Sequence, residues 1–310
     1  MDVDGIRTFL AVARLGGFTR AAATLHRSQP AISRRIELLE GELGVPLFER
    51  IHGGAVLTDA GHAFLPHAEA AMAALRDGHD AVQALRRGEG GAVSLALVGT
   101  LASTDLTARL REFGRRHAGV RVDLRTATSR EVGELVRRGE ATLGLRYFAD
   151  PGADLVSETV GEETLVVVCS AEHRLAGRRR CRPDDLVQER WVAFPTRRGA
   201  EESFARVLGA RLLAAGLAEA EVVPIDSLTA QKRLVEAGFG VALLAESAIA
   251  EEVRLGTLRV LDVPALRTAV PVSAVHRRAG YLSPAARALL SVLGARSAEH
   301  PARAPQATRG

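Results

Sequence analysis

Between residues 92 and 293 the chain repeats one arrangement: a short apolar run, then a stretch with helical spacing, then another apolar run. The runs are AVSLALV (92–98), VRVDL (120–124), ATLGL (141–145), TLVVVC (164–169), WVAF (191–194), EVVPI (221–225), GVALL (240–244) and VPVSAV (270–275). Helical stretches fall at 103–117, 129–139, 200–215, 227–237 and 284–293. Runs that are apolar nearly throughout belong to strands covered on both faces, and strands separated by helices belong to an α/β fold with largely parallel sheets. Two comparable sets of runs predict two lobes with a cleft between them.

A different pattern precedes this region. Residues 1–58 read as short helical segments with tight turns, and 59–87 read as one long helix. In that helix Phe64, Ala68, Ala71, Leu75, Gly78, Val82 and Leu85 are spaced alternately by four and three, the seam of a coiled coil. The same spacing also suits a single amphipathic helix packed on its own domain. RRGEGG (86–91) reads as a hinge, and the Pro/Ala-rich tail 296–310 as disordered. The organisation expected is therefore a small helical domain at 1–58, a linker or dimerisation helix at 59–88, and a two-lobed domain at 89–295. Its first lobe takes about 92–161 and 267–295, its second about 162–266.

The hydrophobic share of 47% and charged share of 25% are those of a folded protein. The net charge is only +4, and Lys232 is the sole lysine, so nearly all positive charge is arginine. Arginine pairs bidentately with phosphate and guanine, although a GC-rich genome gives the same bias. The N-terminal stretch lacks the layout of a signal peptide and no run reaches a membrane span, so a cytoplasmic protein with no membrane partner is expected. Cys169 and Cys181 supply no disulfide framework: the first ends a buried-looking strand, and the second lies in the basic run RRRCRP and reads as a surface thiol. The arginines around Cys181 would lower its pKa.

GGFTRAAATLHRSQPAISRRIELLEGELG (16–44) has the layout of a helix-turn-helix. Thr19 is placed to cap one helix and Ser28 the next, with Pro30 in a first turn where its missing N–H is harmless. Ile32, Ile36, Leu39 and Leu43 form one stripe that faces the core. Pro30, Ser33, Arg34 and Glu37 point away from it, and Gln29 sits in the exposed first turn. Gln pairs with adenine, Arg with guanine and Ser with either, so this end suits a recognition helix in a major groove.

The string 6–61, with FLAVARLGGFTRAAATLHRSQPAISRRIELLEGELGVPLFER followed by VLTDAG, resembles the winged helix-turn-helix of LysR-type transcriptional regulators. LVEAGFGVALL (234–244) and EHRLAG (172–177) are further family-like pieces. The resemblance implies an N-terminal winged helix-turn-helix, a linker helix, and a two-lobed effector domain like a periplasmic binding protein. It implies a homodimer or homotetramer on double-stranded DNA, a small-molecule effector, and room for RNA polymerase as a further partner. By the same resemblance Gln29, Pro30, Ser33 and Arg34 touch DNA, Ser28 and Arg35 neighbour phosphates, and the wing spans about 49–57 with Arg50 in place. Gly53 stands where the family usually has an arginine, and His52 is the nearest substitute.

The resemblance also assigns Thr100, Leu101, Thr128 and Arg146 to the effector cleft, with Phe194 as a weaker candidate. Thr128 and Glu131 form the capping box TSRE at a helix start. Two hydroxyls at helix N-termini together with an arginine favour an anionic effector. The family often has proline where Ala245 stands and aspartate where Thr142 stands. No cofactor is called for, and His62 and His67 have no partners at metal-ligand spacing. No catalytic motif or acid–base pair stands out, so an enzyme is not expected. A solute-binding protein would leave residues 1–58 unexplained, and a regulator with an empty cleft stays open.

Overall fold

The computed structural model describes residues 1–87, 91–102, 104–196 and 204–294, with side chains omitted at 84–87, 104 and 105. Part of the expected hinge, the first residues of the 200–215 helix and the tail lie outside the described residues.

The N-terminal domain begins with α1 (Val3–Leu15), capped by Asp2, whose carboxylate accepts from the Gly5 amide at 2.7 Å. Next come α2 (Phe18–Thr24), α3 (Gln29–Leu43), and a hairpin of β1 (Phe48–Ile51) with β2 (Gly54–Leu57). α2 starts two residues earlier than a Thr19 cap requires: Gly17 holds the cap position and Thr19 lies inside the first turn. Ile32, Ile36 and Leu39 are buried as the stripe predicts. Leu43 is 39% exposed, because α3 ends there and the buried Leu47 fills the core beneath it. Phe9 joins three elements: its ring lies 5.3 Å from Phe48 in the wing and 5.0 Å from Phe64 in the long helix.

That helix, α4, runs from Asp59 to Arg87. Its apolar spacing does not form one free seam. Ala68 and Met72 are buried in the core of the N-terminal domain, and Phe64 and Ala71 pack against it. Leu75 and Val82 remain 49% and 57% exposed, so only the C-terminal half offers an apolar face among the described side chains.

The remaining elements in chain order are β3 (Gly91–Val98), α5 (Thr104–Arg116), β4 (Val120–Ala127), α6 (Ser129–Arg137), β5 (Leu143–Tyr147) and β6 (Leu155–Ser170). They continue with β7 (Trp191–Ala193), α7 (Phe204–Ala214), β8 (Val222–Pro224), α8 (Leu228–Glu236) and β9 (Ala242–Ala245). Last come α9 (Ala250–Leu255), β10 (Leu258–Leu261), β11 (Thr268–Arg277) and α10 (Pro284–Gly294). One sheet has the order β10-β6-β11-β5-β3-β4, with β9 also on β6, and β7 pairs β8 beside it. In the large sheet only β3–β4 and β3–β5 are parallel. The largely parallel sheet expected from the apolar runs is therefore corrected to a mixed one.

The reason lies in β6 and β11. Residues 155–159 of β6 pair with 273–277 of β11, residues 161–165 pair with 268–272, and the register shifts between Val272 and Ser273. Past that bulge β6 continues against β9 and β10. Both long strands thus pass from one lobe to the other. Apolarity reports burial on two faces and carries no information on strand direction, so this crossing was hidden. β4 is an edge strand with Leu124 outward, and VRVDL is less covered than its composition suggests. The principal core, which includes Leu95, Phe113, Leu165, Trp191 and Leu208, occupies one face of the sheet through both lobes.

Because Phe9 is fully buried and touches both the wing and α4, Phe9→Ala is expected to cost about 3–5 kcal/mol. Denaturant unfolding followed by circular dichroism measures this, and a loss below about 1 kcal/mol would contradict the junction role of this ring.

Candidate DNA interface and ligand cleft

α3 presents its first turn to solvent because its three buried residues lie on the opposite side. Ser28, Gln29, Pro30 and Arg34 are exposed, and Ser33 and Arg35 are half-buried. Ser28 occupies the cap position, but its hydroxyl accepts no bond from the helix. The first-turn amides of α3 therefore keep a donor outward, and the macrodipole makes that end attractive to phosphate.

Three of the expected contact residues touch one another. The Gln29 carboxamide donates to Ser33 Oγ at 3.0 Å, and Arg50 donates to the same oxygen at 3.4 Å. The Arg50 guanidinium also lies over the Phe18 ring, 4.8 Å from its centre. Wing and recognition helix are thereby set against each other before any nucleic acid arrives. Arg34 is exposed and has no ion pair or side-chain hydrogen bond among the described residues. Arg35 is held by the start of α1: it contacts Asp2 at 2.7 Å and Asp4 at 3.7 Å. Arg27 reaches Asp4 at 3.2 Å. These carboxylates were not singled out in the sequence, since pairing across 33 residues leaves no periodic trace.

The wing turn is His52–Gly53, with His52 exposed. Gly53 has φ of +87°, a conformation that an arginine side chain would adopt only under strain. Gly53 adopts this conformation without strain.

The second candidate region lies between the lobes. Residues from both line a recess of about 210 Å³ open to solvent: Thr100, Phe194, Phe204, Leu228, Ala245 and Ala248 among them. Thr100 follows β3 and donates to the Tyr147 hydroxyl at 3.2 Å. Burial pushes the Tyr147 phenol well above the ordinary tyrosine range, so it stays neutral at any ordinary pH. Tyr147 packs on Phe204 at 4.4 Å, and Phe194 stacks on Phe204 at 6.1 Å.

The five expected cleft residues separate. Thr100 and Phe194 line the recess. Leu101 is buried in the principal core beneath it. Thr128 sits at the start of α6, where its hydroxyl donates to Glu131 at 2.8 Å within a complete capping box. Arg146 is 3% exposed, and its guanidinium is ion-paired with Asp150. It projects from the α6 face of β5: a side chain added at Gly144, two residues before it, would meet Val132, Val136 and Val275. Adjacent strand residues face opposite sides, so Tyr147 takes the position toward the recess that the sequence reading gave to Arg146. Tyr147 is the residue that reading missed, and its signal was the alternation Leu143, Leu145, Tyr147.

Both cysteines belong to the principal core. The expectation of a surface thiol at Cys181 is corrected: its flanking arginines are exposed while Cys181 turns inward, its amide donating to the Asp262 carbonyl at 2.8 Å. Burial raises the Cys169 thiol to about 12, and burial followed by the Asp185 charge raises Cys181, which outweighs the nearby arginines. Native protein at neutral pH is expected to react with a thiol reagent such as DTNB far more slowly than denatured protein, which should show two thiols. Rapid native labelling of either would contradict the burial.

A recognition helix and wing ahead of a two-lobed α/β domain define a DNA-binding regulator with an appended ligand domain. The chain matches the bacterial regulatory helix-turn-helix of the LysR family over residues 3–62 and the LysR substrate binding domain over residues 86–298. It belongs to the LysR family of transcriptional regulators. It is similar to the regulator TcbR of Pseudomonas sp. (strain P51), with 31% identity over 280 residues, 90% of this chain and 93% of that protein. The RuBisCO operon transcriptional regulator of Allochromatium vinosum is 29% identical over 284 residues, 91% of this chain and 92% of that one. The crystal structure of CbnR, a LysR family regulator, aligns with a TM-score of 0.65 at 28% identity, covering 94% of this chain and 98% of that one. Full-length CbnR complexed with target DNA aligns at 0.64 with 27% identity, covering 94% and 99%. Among the described residues no helix is long and apolar enough to cross a membrane.

Proposed function

We propose that this regulator works as a homodimer or homotetramer that lays the first turn of α3 in the major groove and controls transcription in response to a small molecule held between the lobes. The observation that carries the DNA half is the preset cluster Gln29–Ser33–Arg50 beside an unpaired Arg34, on a helix anchored by buried Ile32, Ile36 and Leu39. Ser28, Pro30 and Arg35 flank it, and His52 stands at the wing tip toward the neighbouring backbone. The likeness to CbnR, solved with target DNA, supports the same use of this domain. The exposed Leu75 and Val82 supply the apolar face on which two α4 helices would pair.

An anionic effector was expected from Thr100, Thr128 and Arg146. With Arg146 paired to Asp150, that reading rests on the N-terminal end of α6, while the recess itself is aromatic and aliphatic. These features together favour a molecule with an apolar body and one anionic end. A thermal-shift screen tests this: aromatic or aliphatic carboxylates should stabilise the protein, and stabilisation by neutral compounds alone would sink the anionic end. A second reading, a regulator that ignores effectors, is favoured by the described lining of the recess, which holds no charged side chain. No hit in the screen together with ligand-independent footprints would establish it.

Arg34→Ala should weaken binding to the specific site by about 1–3 kcal/mol and relax one base position. Mobility shifts on DNA upstream of its own gene, with single base substitutions, measure both. An equal loss on every sequence would make Arg34 a phosphate contact.

A further inference from the structure

The C-terminal end of α6 and the turn behind it, residues 138–140, pack against the side of α4. Arg138 pairs with Glu69 at 2.7 Å, and the Arg138 carbonyl accepts from Arg76. On the same lobe, Arg277 binds Asp77 of α4 and donates to the Val136 carbonyl at 3.1 Å, while the Tyr281 amide donates to Asp77 at 3.2 Å. Glu140 reaches the N-terminal domain itself: its carboxylate contacts Arg14 of α1 at 2.7 Å and Arg125 at 3.4 Å. Gly139 has φ of +65°, and a Cβ there would lie 3.1 Å from the Cβ of Ala73, so the turn comes flush with the helix. Glu69, Asp77 and Arg277 are largely shielded from solvent, with side-chain exposures of 16%, 19% and 15%. Shielded pairs of this kind are screened less by salt than exposed surface pairs.

α6 also reaches the cleft. β3 and β4 are parallel with Val98 opposite Ala127, so Thr100 and Thr128 leave the sheet at the same edge. From Thr128 the helix spans nine residues, about 14 Å, to the turn at 138. It is braced along its length by buried Val132 and Val136, and by Arg137 on Asp150 and Asp154.

We propose that the contacts of Arg138, Glu140 and Arg277 with Glu69, Arg14, Arg76 and Asp77 form a latch that fixes the DNA-binding domain and α4 against the first lobe, and that α6 carries displacement at the cleft into this latch. The ligand trigger rests on the proposed cleft function; the latch and its coupling to α6 do not. Opening the latch frees α4 to change its angle to the lobe.

Hydrogen exchange followed by mass spectrometry on the full chain, without DNA or ligand, tests both parts. Glu69→Gln with Asp77→Asn should accelerate exchange about tenfold in residues 69–80 and 136–141 while α3 keeps its protection. Unchanged rates in both segments would overturn the latch. Glu69→Gln, Arg138→Gln and their combination should be non-additive, as for residues in direct contact; strict additivity would overturn the pair. Glu131→Ala breaks the capping box at the cleft end, and it should also accelerate 136–141 and 69–80. Acceleration confined to 128–133 would overturn transmission through α6. A failed operator or effector search leaves these rates untouched, so it is distinguishable from failure of the latch.

Discussion

Both lobes hang from the antiparallel pairing of β6 with β11. These strands hydrogen-bond to each other on both sides of a single register shift, and every other strand of the large sheet attaches to them directly or through β5 and β3. The two lobes therefore share a backbone ladder, so movement between them must be bending of this pair rather than sliding of separate domains. The bulge at Val272/Ser273 is where such bending costs least, because the ladder is already interrupted there. The recess between the lobes is accordingly a feature of two sheet halves that meet at a hinge.

Much of this was legible in the chain. The buried positions of α3, the capping box at Thr128 and the principal strands follow from period and end signals, which depend on neighbours within a few residues. What stayed hidden depended on distant partners. Strand direction was hidden because a doubly buried strand looks the same whichever way it runs. The first half of β6, with its alternating polar residues, was not seen as strand because β11 covers it from more than 100 positions away. Cys181 looked exposed because its neighbours are charged, yet one inward residue in a basic loop is invisible to composition.

The candidate sites show the same division. Gln29, Ser33, Arg34 and Arg50 stand together because helix and wing are local structures with recognisable frames. The cleft is assembled from residues that follow β3 and β7 together with α7, α8 and β9, and one step in strand parity separates Arg146, on the α6 face of β5, from Tyr147, which touches the recess residues Thr100 and Phe204. The Arg146 guanidinium is ion-paired with Asp150, and this buried pair ties the end of β5 to the turn that follows it. The acidic start of α1 is a further case: Asp2 and Asp4 neutralise Arg27 and Arg35, so net positive charge along the recognition helix is smaller than its arginine count implies.

The aromatic junction of Phe9, Phe48 and Phe64 has a geometric meaning for the whole assembly. It makes the opening turns of α4 part of the DNA-reading body, while the exposed apolar residues begin only at Leu75. The angle between the surface that reads DNA and the surface available to a second subunit is therefore stored in the number of residues between Phe64 and Leu75. Each residue of α-helix turns that angle by about 100° and extends it by about 1.5 Å. The phase of one recognition helix relative to another along a duplex is thus written as a length of helix, and evolution could retune it by insertion without altering a single DNA-facing side chain.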